Sequence, residues 1–495
     1  MRTKKPELKK VAKKTTKQKK MKKIYLYNSL TKSRELFTPI SADEVKIYSC
    51  GPTVYDFPHI GNYRSFLFSD LLNRTLKAFG YRVKLVMNIT DIDDKTIKAS
   101  MDHKQSLKAY TDRYTQAFLE DLKDLKVLKA AHYPRATDNI KEMIEMIKVL
   151  LEKKHAYIAE GSVYFRLSTF KDYGKLNHFK LEAQIVGGGG RNDSDEYKKE
   201  NFSDFVLWKK YQESDGDIFY DSPFGKGRPG WHIECSAMSR RFLGDHFDIH
   251  TGGTDNRFPH HENEIAQSEC FSGKEFVNYW LHVAHLLVEG EKMSKSLGNF
   301  YTLRDLTKKD IDPVTLRYMM LSTHYRNPFN FTLEGVSAMQ KAISRVNRTV
   351  QRLKEIILNK NPQFDEGEIV EKIEKETERF YDALADDLNT SSALSVLFDV
   401  LALVNPLLDK NEITSKISQS FTNFLHKVDE IFCFINFDLS EDEIPKEIIT
   451  LAEKRDEARK NKDYALSDKL RDEIISKGYK VEDSANKTIV KKDGA

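Results

Sequence analysis

Between Val45 and Thr90 the chain commits itself to one kind of sheet. Val45 to Cys50 reads as a short strand that ends in Cys50-Gly51-Pro52-Thr53. From Tyr63 to Phe79 the apolar residues Phe66, Leu67, Leu71, Leu72, Leu76 and Phe79 fall at helical spacing, and Gly80 stops the run. Arg82 to Thr90 is a second strand with Val83, Leu85 and Val86 as its buried residues. Strand, helix, strand in this order make a parallel unit with a right-handed crossover. Ligands of such sheets sit beyond the carboxyl ends of the strands. Cys50, His59, Asn88 and Thr90 all fall there.

The rest of the chain extends this plan. Residues 104–155 read as helical with heavy charge on one face, and Val163 to Leu167 as a short strand. Gly187-Gly188-Gly189-Gly190 is a loop and not a phosphate cradle, because no Gly-Lys-Ser/Thr follows it. Phe205 to Trp208 and Gly227 to Trp231 lead back into the core, and Phe247 to His250 is another strand end before Gly252-Gly253. After Asn299 the pattern is almost wholly helical, with amphipathic runs at Val314–Ser322, Leu333–Leu353, Glu368–Asp386 and Thr390–Leu408. A bundle is the natural fold for it. Ile448 to Arg471 looks like two helices, and Tyr479–Glu482 with Thr488–Val490 like a small hairpin.

The expectation is an α/β chain: a Rossmann-like parallel-sheet catalytic domain with an inserted subdomain, then a helical bundle and a small C-terminal α+β tail. The boundaries are a basic leader at 1–22, a first sheet half at 23–130, an insertion at 131–228, a second half at 229–322, a bundle at 323–437 and a tail at 438–495.

Charge qualifies what a nucleic-acid partner would meet. The 495 residues carry a net +5, but residues 1–23 hold Arg2 and eleven lysines against Glu7, a local +11 that leaves −6 for the remainder. Local basic patches on a mildly acidic body must therefore meet any such partner. The leader lacks an apolar core, so it is no secretory signal and is expected to be disordered. It is either a non-specific RNA-binding arm or an upstream misread, since Met21 opens a plausible strand at Ile24–Tyr27. The four cysteines lie far apart, which disfavours a disulfide framework. The longest apolar run, near Val396 to Leu408, is interrupted by Asp399 and Asn405, and no membrane span is expected.

Three constellations carry chemistry. Glu291-Lys292-Met293-Ser294-Lys295-Ser296-Leu297-Gly298-Asn299 places two lysines and two serines between glycines. Such a cationic clamp suits a triphosphate whose charge moves onto leaving pyrophosphate. Pro58-His59-Ile60-Gly61-Asn62 sits between strand and helix. A helix N-terminus offers N–H groups to phosphate, Gly61 lets a flat base approach the backbone, and His59 can donate to phosphate oxygens. Read alone, the same His59 could simply cap the helix. The third set is Cys50, Cys235, His260 and Glu264. His260 and Glu264 are four apart in a segment expected to be helical from Pro259, so they share a face. Two thiolates, an imidazole and a carboxylate suit zinc. Spacing alone favours ordinary buried cysteines over a metal site, because there is no CxxC pair.

The lysine string together with the histidine string resembles the paired signatures of class I aminoacyl-tRNA synthetases. Four longer strings narrow the resemblance to the cysteinyl-tRNA synthetase family: Ser49–Asp56, Asn88–Lys95, Gly230–Met238 and Phe258–Glu264. The likeness runs from about Lys22 to the C-terminus. It implies that Cys50, Cys235, His260 and Glu264 bind one Zn2+, with His261 behind them or structural. It also implies that His59, Gly61, Asn62 and Lys295 bind ATP. His59, Asn62, Lys292 and Lys295 would stabilise the transferring phosphate, and Thr90, Trp231 and His232 would line the cysteine pocket. Phe380–Thr390 resembles the family's anticodon-side domain. The implied partners are L-cysteine, ATP with Mg2+, and tRNA(Cys), for a cytoplasmic monomer. Asn62 departs from the general class I pattern, which has a second histidine there; its amide donates but carries no charge.

Selection of sulfur explains a metal. One buried apolar contact discriminates by only about 1–3 kcal/mol, and serine and alanine are no larger than cysteine. A metal that lowers a thiol's pKa distinguishes sulfur from a hydroxyl. Four protein donors exceed the three usual for a catalytic zinc, which points to Glu264 as the weak one. Two other readings share the motifs. One is a ligase joining activated cysteine to an amino sugar, against which the long helical region stands. The other is an inactive tRNA-binding paralogue, motivated by Asn62. Tail residues Arg455, Arg459, Lys460, Lys462, Lys469 and Arg471 either meet RNA phosphates or form a solvated ion-pair surface.

Overall fold

The computed structural model describes residues 22–179, 191–192, 204–294, 297–438, 446–461, 463–483 and 488–492. The leader up to Met21 and the Gly187–Gly190 loop lie outside these. Tyr25–Asn28, near the expected Ile24–Tyr27, pairs antiparallel with Ser33–Leu36. The first strand of the parallel sheet, β1 (Glu44–Ser49), is followed by helix α1 (Ile60–Ala78) and strand β2 (Arg82–Met87). The α1 residues Phe66, Leu67, Leu71, Leu72 and Leu76 are buried, as their spacing requires. The helix begins at Ile60, three residues before the expected start, so Gly61 and Asn62 lie in its first turn.

Residues 104–155 are not one helix. Helix α2 (Leu107–Asp124) ends, and a new helix starts only at Ile140. Between them the chain lies along the end of β2: Ala131 N–H donates to the Leu85 carbonyl, Met87 N–H to His132, and Ile89 N–H to Pro134. Pro134 cannot continue a helix but can lend its carbonyl to a sheet edge.

Helix α3 (Trp231–Leu243), strand β3 (Phe247–Gly253), helix α4 (Glu262–Ser272) and strand β4 (Val277–Val283) complete the central layer. The sheet order is β4-β3-β1-β2 and every pairing is parallel. Strand β3 runs on through Gly253, beyond the expected end at His250. Helix α4 starts at Glu262, after an irregular turn at Arg257–His261, so Pro259 precedes the helix and does not open it. The insertion forms its own five-stranded sheet: Ala156–Ala159, Ser162–Phe165, Asp204–Lys210 and Gly227–Pro229 pair antiparallel, and Arg191–Asn192 joins Asp204–Lys210 in parallel.

Beyond β4, Leu286–Val288 and Glu291–Lys292 form a tight hairpin whose first strand pairs in parallel with Phe329–Phe331. Helices α5 (Leu303–Thr307) and α6 (Pro313–Ser322) follow. The bundle is α7 (Glu366–Ala385), α8 (Thr390–Asp409) and α9 (Ser415–Phe432), closed over Phe380, Leu397, Phe421, Phe424 and Val428. By length and composition α8 could cross a membrane. Here it buries Leu394, Leu397, Val400, Leu401 and Val404, as the core helix of a bundle does.

The chain divides into two compact units, residues 1–344 with 356–434, and residues 345–355 with 435–495. The second unit packs helices Lys446–Lys460 and Tyr464–Ser476 on a hairpin of Tyr479–Asp483 and Thr488–Lys492, over Ile448, Leu451, Leu470, Ile474 and Val490. Arg455 is buried there and donates to Thr488 Oγ1 at 2.8 Å, which makes it a core residue of this unit. Lys462 lies outside the described residues.

Candidate functional site

Cys50 follows the last residue of β1, Cys235 lies in the second turn of α3, His260 in the turn before α4, and Glu264 in the first turn of α4. Their four ligand atoms lie within 4.8 Å of one another and all four residues are buried. Close backbone approach makes this possible. A Cβ on Gly51 would stand 1.7 Å from the Asn88 carbonyl oxygen, and one on Gly252 would stand 2.7 Å from the His261 ring.

The electrostatics of the cluster favour a cation. Burial alone would raise Glu264, but His250 and His260 donate to its two oxygens at 3.0 and 3.1 Å and hold its carboxyl at about 2. Burial opposes charge on His260, yet Glu264 and Cys235 raise it to about 10. The Cys50 thiol beside Cys235 draws the latter down to about 6 against burial, while burial and Cys235 push Cys50 up. Buried anions drawn to one point need a positive partner. Two sulfurs, a nitrogen and an oxygen are donors of the borderline-soft kind that zinc takes. The residues present therefore fit the metal.

A layer of histidines stands behind the four. His261 Nε2 is 3.3 Å from Cys50 Sγ, and its Nδ1 is 2.9 Å from His282 Nε2. His282 Nδ1 in turn meets Ser29 Oγ at 2.8 Å. Burial depresses His261 and His282, the latter to about 3, so both are neutral relays. Cys50, His250, His261 and Glu264 form a second group whose ligand atoms lie as close together. The sequence singled out neither His250 nor His282. By alternation His250 shares a face with Asp248 and His282 with Asn278, so strand periodicity marked neither.

The expected cysteine-pocket residues border this cluster. The Trp231 ring stacks on His260 with centroids 4.2 Å apart, and His232 Nδ1 lies 2.9 Å from His260 Nδ1. Thr90 donates to Glu234 Oε2 at 3.0 Å, next to Cys235 in sequence, and accepts from Asn88 at 3.2 Å. The second Glu234 oxygen, Oε1, is buried without a hydrogen-bond partner among the described residues.

The two phosphate-type strings meet as well. His59 is the N-terminal cap of α1, and its backbone N–H donates to Asn62 Oδ1 at 3.1 Å. Burial lowers the His59 imidazole, against a pull from Asp255, so it is neutral near pH 7, with one ring nitrogen an N–H donor and the other an acceptor. Its Nδ1 is buried without a partner among the described residues. Its ring meets Phe300 at 5.4 Å, and Ile60 N–H donates to the Tyr301 carbonyl at 2.9 Å. A Cβ on Gly61 would lie 3.5 Å from the Met293 methyl. Lys292 is exposed at the hairpin end. Asn299 closes the loop, accepting from Ser294 N–H at 2.8 Å and donating to the Lys292 carbonyl at 3.3 Å. Lys295 lies outside the described residues.

Residues 36–342 match the family model for tRNA synthetases class I (C) catalytic domain, and residues 379–436 match the DALR domain. A cysteine–tRNA ligase of Brachyspira hyodysenteriae is 51% identical over 468 residues, 94% of this chain and 98% of the relative. That of Protochlamydia amoebophila is 48% identical over 471 residues, 95% of this chain and 98% of the relative. Among solved structures, the methionyl-tRNA synthetase of Mycobacterium tuberculosis in complex with methionyl-adenylate aligns over 79% of this chain and 89% of its own, with a TM-score of 0.56 at 13% identity. A LeuRS–tRNA–LeuAMS ternary complex from Agrobacterium radiobacter K84 aligns over 80% and 85%, with a TM-score of 0.59 at 11% identity. These two likenesses speak to the fold.

Proposed function

The chain belongs to the cysteine–tRNA ligases, within the class I aminoacyl-tRNA synthetases, and we propose that it selects its amino acid through one zinc ion held by Cys50, Cys235, His260 and Glu264. The observation that carries this reading is the convergence of those four buried ligand atoms within 4.8 Å, in the one of the two converging groups that holds both thiols. Bound there, zinc would supply a soft Lewis acid that lowers a thiol's pKa and prefers sulfur to a hydroxyl oxygen. Both oxygens of Glu264 are already shared with His250 and His260, which suits it to be the weakest of the four donors.

Around that centre the protein's own residues position the reactants. Trp231, His232 and Thr90 enclose the cysteine side chain and exclude water from it. The cysteine carboxylate attacks the α-phosphorus of ATP, which enters with Mg2+, and pyrophosphate leaves. His59 donates from its neutral ring, Asn62 fixes the turn that presents it, and Gly61 leaves room for the base. Lys292 and Lys295 offset the charge that gathers on pyrophosphate. The 2′-hydroxyl of the terminal ribose of tRNA(Cys) then attacks the adenylate carbonyl and releases AMP. No covalent intermediate forms on the enzyme; catalysis is positioning and electrostatics. The resemblance to the family alone leads us to take the active species to be a cytoplasmic monomer.

The test is Cys235→Ser, followed by metal analysis and by ATP–pyrophosphate exchange with cysteine and with serine. We expect most of the zinc to be lost and cysteine activation to fall by about 100-fold or more. Full activation in a zinc-free variant would overturn the assignment.

A further inference from the structure

We propose that Arg304 is a positioning residue for adenylate formation, because it fixes the chain returning from the lysine loop against the helix that begins at His59. This rests on the reading of His59 and that loop as the ATP site. Arg304 sits in α5, a helix of only five residues just beyond the loop. Its Nη1 donates to Asp121 Oδ1 of α2 at 2.6 Å, and its Nη2 approaches the Ala117 carbonyl at 3.4 Å and Glu120 at 3.5 Å. The second Asp121 oxygen accepts the hydroxyl of Tyr63, which lies one turn into α1. The guanidinium also lies 4.6 Å over the ring of Phe57, two residues before His59.

One side chain thus grips both flanks of His59, directly at Phe57 and through Asp121 at Tyr63. Tyr63 and Asp121 are buried, so the inner half of the link is shielded from water, while the Arg304 side chain keeps 32% of its exposure. The residues beside Arg304 in sequence are the ones that touch the histidine string. Tyr301 accepts from Ile60, and Thr302 pairs with His59. The fork that meets Asp121 and the planar face that covers Phe57 are properties of arginine that lysine does not reproduce. If Arg304 merely neutralised a buried acid, a lysine would serve as well and the ATP kinetics would not respond to it.

The experiment compares Arg304→Gln, Arg304→Lys, Tyr63→Phe and His59→Ala in cysteine-dependent ATP–pyrophosphate exchange. KM is resolved for ATP and for cysteine, with thermal midpoints measured alongside. A misplacement near 1 Å costs about 100-fold, so we expect Arg304→Gln to slow exchange by about 10- to 100-fold and raise the KM for ATP. The KM for cysteine and the zinc content should hold. Arg304→Lys should restore only part of the rate. Wild-type ATP kinetics in Arg304→Gln would overturn the proposal, and so would full rescue by lysine. Tyr63→Phe, which cuts the Asp121 branch of the link, should raise the KM for ATP in the same direction. Equal loss in both KM values, tracking a fall in thermal midpoint, would show a structural role and also overturn it. If Arg304→Gln does not fold, Arg304→Lys carries the same comparison with a smaller effect. Unaltered ATP kinetics in His59→Ala would instead sink the ATP-site reading itself, which separates the two failures.

Discussion

His250 approaches Glu264 from β3 and fixes an oxygen that the four candidate ligands leave unheld. A partner of this kind sets how firmly a carboxylate presents itself to a metal, and its loss typically costs about 10–100-fold in affinity. His250→Ala is therefore expected to weaken zinc retention by that factor while leaving the four ligands in place. Competition with a zinc chelator measures it, and unchanged retention would show that Glu264 is oriented by His260 alone. At this scale the sequence is most legible inside the family-like strings. Cys50, Cys235, His260 and Glu264 are picked out of the chain by the strings around them and not by their spacing. His250 and His282 are not, because a polar residue on a buried strand has no periodic signature of its own. Asn62 shows the opposite limit. Its departure from the class pattern was visible, but its role as acceptor for the His59 N–H needed the geometry of the turn.

The parallel strand–helix–strand unit could be read from spacing because its helix turns one apolar stripe to the sheet. Its edges could not. The start of α1 at Ile60 is fixed by Ile60 N–H donating to the Tyr301 carbonyl, and the break in the long charged stretch is set by hydrogen bonding of residues 131–134 to β2. Both are tertiary decisions that override a local helical pattern. The junction after β1 gives a sharp test of the same kind. A Cβ on Gly51 would meet the Asn88 carbonyl oxygen at 1.7 Å, and backbone on the neighbouring strand has little freedom to retreat. Gly51→Ala is expected to destabilise the protein by about 1–3 kcal/mol and to displace Cys50, so that zinc content falls together with the urea midpoint. A stable variant with normal zinc would mean that the two strands separate easily there.

Composition foretold the change of character after Asn299 but not how the chain is divided. The amphipathic run from Leu333 reads as one helix, yet the boundary between compact units falls inside it, between Ser344 and Arg345. A helix pattern records one apolar face and not which body each turn of that face serves. Within the first unit, Arg317 joins the bundle to the sheet layer. It is fully buried, pairs with Asp70 of α1 at 2.7 Å, and donates to the carbonyls of Ile431 and Phe432 at the end of α9. Removing one member of a buried pair leaves the other uncompensated, at a typical cost of about 3–5 kcal/mol. Arg74 also pairs with Asp70 at 2.8 Å, which places Arg317→Met toward the lower end. The loss is expected in urea unfolding as a single earlier transition of this unit. An unfolding of the bundle ahead of the sheet layer would show instead that the two are held together elsewhere.

The basic leader tests charge at the scale of the whole chain. Lys22 pairs with Glu378 and Asp382, at 3.3 and 2.7 Å, so the described contacts begin just past Met21. Starting the protein at Met21 removes nine lysines and Arg2 without touching those contacts. Cysteine activation and the thermal midpoint should hold, because the +11 of residues 1–23 is far from neutral but has no core-forming residues behind it. Binding of tRNA separates the two readings of the leader. An arm that meets phosphates contributes to the slope of log affinity against log salt in proportion to the contacts it makes. If it acts as such an arm, the shortened protein will show a shallower slope and weaker binding to any RNA of similar length. A slope that does not change leaves the leader no part in RNA binding, and a fall in the thermal midpoint would show that it folds onto the body.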